Sequence, residues 1–297
     1  MSDDDTLRQA IAAEEARLAR IEEERAEVLA KLQELKGKLA TEISAPAPAT
    51  PILPDVLPFP HSIPSTAEGK VALFRSLFRG REDVFPKLWE NTRTGRKGYA
   101  PACANEWLSG ACRKPRVKCG RCSHRAFLPV TDQVILDHLQ GRQVIGVYPL
   151  LPDETCFFLA ADFDGSSWQE DVAAFVATSR RIGVPPAIER SRSGKGAHAW
   201  FFFSGSVPAS VARQMGCYLL TETMSRRHQL GMASYDRLFP NQDTIPAGGF
   251  GNLIALPLQQ KPRKGGNTVF VDDNFDAYTD QWAYLASLPL GLFQANV

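Results

Sequence analysis

Hydrophobic and polar positions change their period several times along the chain, and each change predicts a boundary. Over residues 6–40, Leu18, Ile21, Val28, Leu32, Leu35 and Leu39 fall on alternating three- and four-residue steps, with Arg25 as the one polar member. Such a seam predicts one long helix pairing as a short coiled coil, most simply in a homo-oligomer. A lone solvated helix is the alternative. Residues 44–64 then carry seven prolines among Ala, Ser and Thr, a composition that removes backbone donors and stiffens the chain into a linker. The expected organisation is a helix over 1–42, a linker over 43–66 and a folded body over 67–297, with a cysteine-rich insertion at 100–127.

Within the body, Ser65 followed by Glu68 suggests a helix start; Val71, Leu73, Phe74, Leu77 and Phe78 give that helix an apolar side, and Gly80 ends it. The stretch from Arg93 to Tyr99 reads as a polar, basic loop. Thr131 is placed to cap a helix through Leu139. Gln143–Tyr148 and Cys156–Asp164 read as strands, 169–182 as an amphipathic helix on Val172, Phe175, Val176 and Ile182, and 187–191 and 197–203 as two strands around a Gly-rich turn. A helix opens at Pro208 and runs to about His228. Gly248–Asn252 forms a loop leading into a buried strand that ends at Pro257. Strands and helices alternate without a strict βαβ repeat, which makes the fold class α+β or mixed α/β. His61, His138 and His228 read as linker, helix-surface and helix-end residues, and Cys156 and Cys217 as buried apolar thiols. The Trp200–Phe203 run reads as core strand.

Composition narrows the class. No stretch approaches the roughly 18 to 20 uninterrupted apolar residues of a membrane span. The acidic N-terminus has neither the basic nor the apolar region of a secretory signal, so no membrane is expected and the location is cytoplasmic. The net charge of +1 hides an asymmetry. Residues 1–42 hold eleven acidic and seven basic residues, and the remainder 22 acidic and 27 basic. A mildly basic body allows an anionic partner without requiring one.

Four of the six cysteines cluster as Cys103, Cys112, Cys119 and Cys122. The Cys119–Cys122 knuckle can offer two thiolates to one tetrahedral metal, and the looser pair completes four ligands, which points to structural Zn²⁺. His124 is a possible substitute ligand, and plain buried thiols are the alternative. Arg113, Lys114, Arg116, Lys118, Arg121 and Arg125 interleave with these positions and suit contact with a phosphate backbone. A solvated basic face is the competing reading.

The strongest chemistry lies between Cys156 and His198. Phe157–Ala161 is too apolar to be anything but a buried strand, and it ends in Asp162 and Asp164, which share one strand face. Two carboxylates so close call for a cation between them, and Mg²⁺ or Mn²⁺ suits hard oxygen ligands. Downstream, Ser193-Gly-Lys195-Gly-Ala-His198 combines two glycines that admit an anion with a hydroxyl, an ammonium and an imidazole. It is no P-loop, because the spacing differs and a strand follows.

Together these motifs resemble the archaeo-eukaryotic primase superfamily, most closely the primase domain of the TOTE conflict systems. The resemblance rests on Ala-Asp162-Phe-Asp164-Gly, Glu189–Phe203, Tyr235–Asp243 and Gly249–Leu258, with the cysteine insertion before the first motif, and it covers roughly residues 67–290. It implies a primase-polymerase core with an RRM-like catalytic sheet that performs DNA-templated nucleotidyl transfer by a two-metal mechanism. Asp162 and Asp164 would be metal ligands, with Asp236 completing the site and Asp243 as the alternative. Ser193, Lys195 and His198 would hold the triphosphate of an incoming NTP or dNTP. Arg190 and Arg192 would flank that turn and add charge to the triphosphate site, with a solvated face as the alternative, and Asn252 would contact the nucleotide. The template would be single-stranded or primed DNA. A gap-filling repair polymerase shares the chemistry, and a vestigial zinc-bearing nucleic-acid-binding module is the reading from another class. Relatives commonly continue into a helicase, whereas this sequence stops soon after Leu288. A standalone version or a fragment is expected, with a separate helicase as a possible partner.

Overall fold

The computed structural model describes residues 63–226, 234–245 and 248–289, together with Arg17, Arg20, Glu27 and Lys31. The chain divides into two compact units, Met1–Leu57 and Pro58–Val297. In the first unit the four described residues are helical and exposed. The heptad seam, residues 43–62 of the proline-rich stretch, His61 and His228 lie outside the described residues.

The second unit opens with helix α1 (Ala67–Leu77). Its N-cap is Thr66 rather than Ser65, and the Thr66 hydroxyl accepts from the Gly69 amide at 3.1 Å. The expected basic loop is in part the turn of a hairpin, β1 (Pro86–Glu90) and β2 (Lys97–Pro101), and its last three residues, Lys97 to Tyr99, belong to the second strand. Asn91 makes that turn: its side-chain oxygen accepts from the amides of Arg93 and Thr94 at 3.0 and 3.1 Å. Helix α2 (Asp132–Leu139) is capped by Thr131 as its sequence suggests. The following strand shrinks to β3 (Gly146–Val147), paired with β8 (Ile254–Ala255).

The body is organised by a five-stranded antiparallel sheet in the order β7-β4-β6-β5-β9, formed by β4 (Thr155–Asp164), β5 (Ala187–Arg190), β6 (Gly196–Pro208), β7 (Tyr235–Phe239) and β9 (Phe270–Val271). Helices α3 (Trp168–Ile182) and α4 (Ala209–Arg226) pack on β4 and β6. The short helices α5 (Gln260–Lys264) and α6 (Gln281–Ser287) close the described chain. Helix α3 stops at Gly183, whose φ of +87° is the left-handed conformation that glycine adopts without a Cβ penalty.

Burial on both sheet faces explains the unbroken apolar runs. On one face Phe78, just past α1, packs edge-on against Trp200 and Phe202 at 5.0 and 5.3 Å between ring centres. On the other, Phe175 of α3 meets Phe163 and Phe201 at 5.3 and 6.0 Å. A strand covered on both sides reads as continuous hydrophobe rather than alternation. Cys156 is buried as expected, whereas Cys217 is exposed on α4. Gly216 takes the inward position beside it, where a Cβ would meet Leu159 and Leu238.

His138 corrects the surface reading: it is fully buried. Its Nε2 lies 2.8 Å from the Pro257 carbonyl and its Nδ1 accepts the Ile145 amide at 3.2 Å. A neutral ring with the proton on Nε2 satisfies both bonds, and it ties α2 to the residue before β3 and to the segment that follows β8. Burial pushes its pKa down to about 4, against the pull of the Pro257 carbonyl. The unfolded chain therefore takes up a proton that the folded chain refuses. This contribution is intact above the unfolded value near 6.5 and is lost as pH falls from there toward 4, amounting to roughly 3 kcal/mol. Urea midpoints measured across that window should fall in wild type, and the fall should be shallower in His138→Gln.

Candidate active site

Asp162 and His198 are direct partners across the β4–β6 pair, and Asp164 faces Gly196. His198 Nε2 stands 3.5 Å from Asp162 Oδ1. Asp162 and Asp164 share the sheet face that carries Trp200 and Phe202, while Phe163 between them is fully buried on the other. The two turns beyond are joined: the Gly165 amide donates to the Lys195 carbonyl at 3.3 Å. A side chain at Gly196 would collide with the Phe163 carbonyl, so that glycine permits the approach.

The third carboxylate arrives through a β-bulge. Asp162 pairs with Arg237 and Phe163 with Tyr235, which leaves Asp236 as the extra residue. Bulges re-aim side chains. Asp236 comes within electrostatic reach of Asp162 and holds Arg237 Nε at 2.7 Å. Asp243 instead forms an ion pair with Arg213 of α4. Between the two alternatives, the fold brings Asp236 to the pair. Burial raises the Asp162 pKa; His198 opposes this, and Asp236 and Asp164 add to it.

The Gly-rich turn is a compact loop. Ser193 Oγ accepts the Lys195 amide at 3.1 Å and lies 3.2 Å from Ser191 Oγ. Ser193 and Lys195 are exposed, and Arg192 is half-buried beside the Tyr99 hydroxyl of β2. Arg190 is spent on structure, donating to the carbonyls of Gly266 and Phe275. Asn252 is also occupied, with its amide bridging the Leu238 carbonyl and the Asn241 amide.

Two buried carboxylates escaped the sequence reading. Glu189, 1% exposed, accepts from His198 Nδ1 at 2.8 Å and from Trp200 Nε1 at 3.1 Å. It fixes the ring so that Nε2 faces Asp162. Burial alone would lower the His198 pKa, but Glu189, with Asp162 and Asp164, raises it instead. Asp171, also 1% exposed, accepts from the amide and hydroxyl of Ser234 at 3.2 and 2.6 Å. The Ser234 carbonyl in turn receives the Asp164 amide at 2.6 Å, so Asp171 anchors the start of β7 to the end of β4. The signal for Glu189 was an acid inside an apolar strand, opposite the histidine across the turn. Asp171 gave none, because an acid in the first turn of a helix is ordinary.

The four cysteines line one cavity of about 20 Å³ together with His124. The Cys103 sulfur accepts the Ala126 amide at 3.4 Å. Backbone amides of Lys114 and Trp107 hold the Cys112 thiol below its usual range. Arg113, Arg116, Lys118, Arg121 and Arg125 are exposed around this loop, whereas Lys114 is drawn inward to Glu106 at 2.8 Å. Soft thiols with N–H donors suit Zn²⁺, and the three aspartates suit Mg²⁺ or Mn²⁺. Among the described residues no group of three or more His, Cys, Asp or Glu side chains closes around a single point. Metal binding would therefore have to draw these side chains together.

The site thus sets Asp162, Asp164 and Asp236 beside a basic glycine turn. Residues 69–290 match the family described as the TOTE conflict system, Archaeo-Eukaryotic Primase domain, and the chain belongs to that family, whose general chemistry is nucleotidyl transfer. No curated protein matches. Among solved structures the chain is similar to the polymerase domain of Mycobacterium tuberculosis ligase D in complex with DNA, at 15% identity and a TM-score of 0.42, over 77% of this chain and 81% of that one. No helix of the described residues is long and apolar enough to cross a membrane.

Replacing Glu189 by Ala leaves His198 Nδ1 and Trp200 Nε1 without a buried acceptor, at a cost of about 2 to 4 kcal/mol. Glu189→Gln keeps one acceptor oxygen and should lose less. Urea denaturation of the two variants checks the order.

Proposed function

We propose that this chain is a DNA-templated primase-polymerase that joins NTPs or dNTPs and releases pyrophosphate. The observation that carries the reading is the cross-strand pairing of Asp162 with His198, with the Gly165–Lys195 bond holding the carboxylate end against the glycine turn. One nucleotide can be held from both ends there. Asp162, Asp164 and Asp236 would hold Mg²⁺ or Mn²⁺. When bound, these ions supply charge neutralisation at the α-phosphate and activation of the attacking hydroxyl. Lys195, Ser193 and the amides of the turn bind the β- and γ-phosphates and counter the charge that builds on the leaving pyrophosphate. His198, oriented by Glu189, donates from Nε2 to a phosphate oxygen, and Arg192 adds charge at the rim.

Cys103, Cys112, Cys119 and Cys122 would hold a structural Zn²⁺, and the exposed cations around them would contact the backbone of single-stranded or primed DNA. The N-terminal helix would give a homo-oligomer and could recruit a helicase. A cytoplasmic location fits this role.

Asp162→Ala/Asp164→Ala should lose at least about 10²- to 10³-fold in nucleotide incorporation. Asp236→Ala should fall with them and Asp243→Ala should not, measured on single-stranded and primed templates with Mg²⁺ or Mn²⁺. Absence of incorporation by wild type under all these conditions would contradict the enzyme reading. Incorporation that requires a primer would select the gap-filling alternative. Metal analysis should return one Zn²⁺ per chain, lost in Cys119→Ser/Cys122→Ser together with a lower melting temperature.

A further inference from the structure

Trp89 and Trp107 are 44% and 71% exposed, while Trp168 and Trp200 are buried in the core. Exposed indoles are costly in water and are common where a flat apolar partner docks. Both line the same groove, a space of about 670 Å³ between the β1–β2 hairpin and the cysteine loop.

Each ring is placed by a local constraint. Trp89 lies across Gly98 of the paired strand, so close that a Cβ there would come within 3.0 Å of the ring. Trp107 is held in the left-handed region at φ +62°, rare for a bulky residue, with Lys114 Nζ 5.8 Å from its ring centre. The rims are basic. Arg96 of the hairpin and Lys118 of the facing loop line the groove and are exposed, and Arg93, Lys97, Arg113 and Arg116 are exposed in the same two segments. Glu106 in the groove is already neutralised by Lys114, which leaves Glu90 as the acid at that wall. The groove also adjoins the active site through one strand, because Ala100 of β2 lines it while Tyr99 points the other way, to Arg192.

We propose that this groove binds an unpaired DNA strand, stacking bases on Trp89 and Trp107 and holding its phosphates with the hairpin and loop cations. Base faces available for stacking exist only in an unpaired strand, and a polyanion matches the rims. As the path of a template, the groove rests on the polymerase reading; as a binding site, it stands alone.

The test is a titration of the full chain with fluorescein-labelled oligothymidylate, without nucleotide, so that it reads the groove whatever the outcome for incorporation. Binding should quench tryptophan fluorescence and exceed that of a duplex of equal length. Trp89→Ala and Trp107→Ala should each weaken it about tenfold, while Trp→Phe at both positions retains most of it. Both residues are exposed, so the urea midpoint should stay put. Gly98→Val, which pushes the Trp89 ring from its seat, should mimic Trp89→Ala. Unchanged affinity in the double alanine variant would overturn the proposal. Equal binding of duplex would also overturn it, since that describes a general polyanion surface.

Discussion

Asp162 and His198 face each other because the β4–β6 ladder has one register it can adopt. Phe158 pairs with Phe202, Ala160 with Trp200 and Asp162 with His198, all on the face that receives Phe78. Leu159 and Phe163 go to the opposite face with Phe175. Each large side chain buried here contributes roughly 1.5 to 3 kcal/mol. A slip of one residue would turn every side chain over and drive Asp162 into the layer under α3. Core packing therefore brings carboxylate and imidazole to the same place, and Glu189 then fixes the direction in which the ring faces.

Around that pair the charges are arranged in tiers. Glu189 sits deepest and locks His198, and Asp171 locks Ser234 and with it the bulge that delivers Asp236. The carboxylates nearer the surface repel one another, and this repulsion favours a cation. The buried carboxylates are satisfied by hydrogen bonds and carry the positioning. Removing a buried partner of this kind costs more than removing a surface ion pair. The exposed Ser193–Lys195 turn can then remain adaptable, because its two ends are held by strands.

Much of this was legible in the sequence, for identifiable reasons. β4, β6 and α3 were readable because both-face burial and helical periodicity leave strong patterns. Asp162, Asp164 and the Ser193–His198 turn stood out because carboxylates and glycines interrupt those patterns. The β1–β2 hairpin was missed, since its exposed strands alternate weakly and its turn is made by an Asn–backbone motif. His138 was misread because its burial shows only in tertiary partners, the Ile145 amide past the end of the helix and the Pro257 carbonyl far away in sequence. The position of Asp236 beside Asp162 was not legible because it comes from a bulge, and a bulge depends on pairing with a strand about seventy residues earlier. The Trp89–Trp107 groove has the same character, since it joins a hairpin to a loop that no local pattern links.

The central claim is that one site holds a nucleotide from both ends. Its most direct test is calorimetric titration of the full chain with a non-hydrolysable nucleoside triphosphate, in the presence and absence of Mn²⁺. The account predicts binding that requires the cation and is weakened in Lys195→Ala. Equal binding without the cation, or binding indifferent to Lys195, would contradict it.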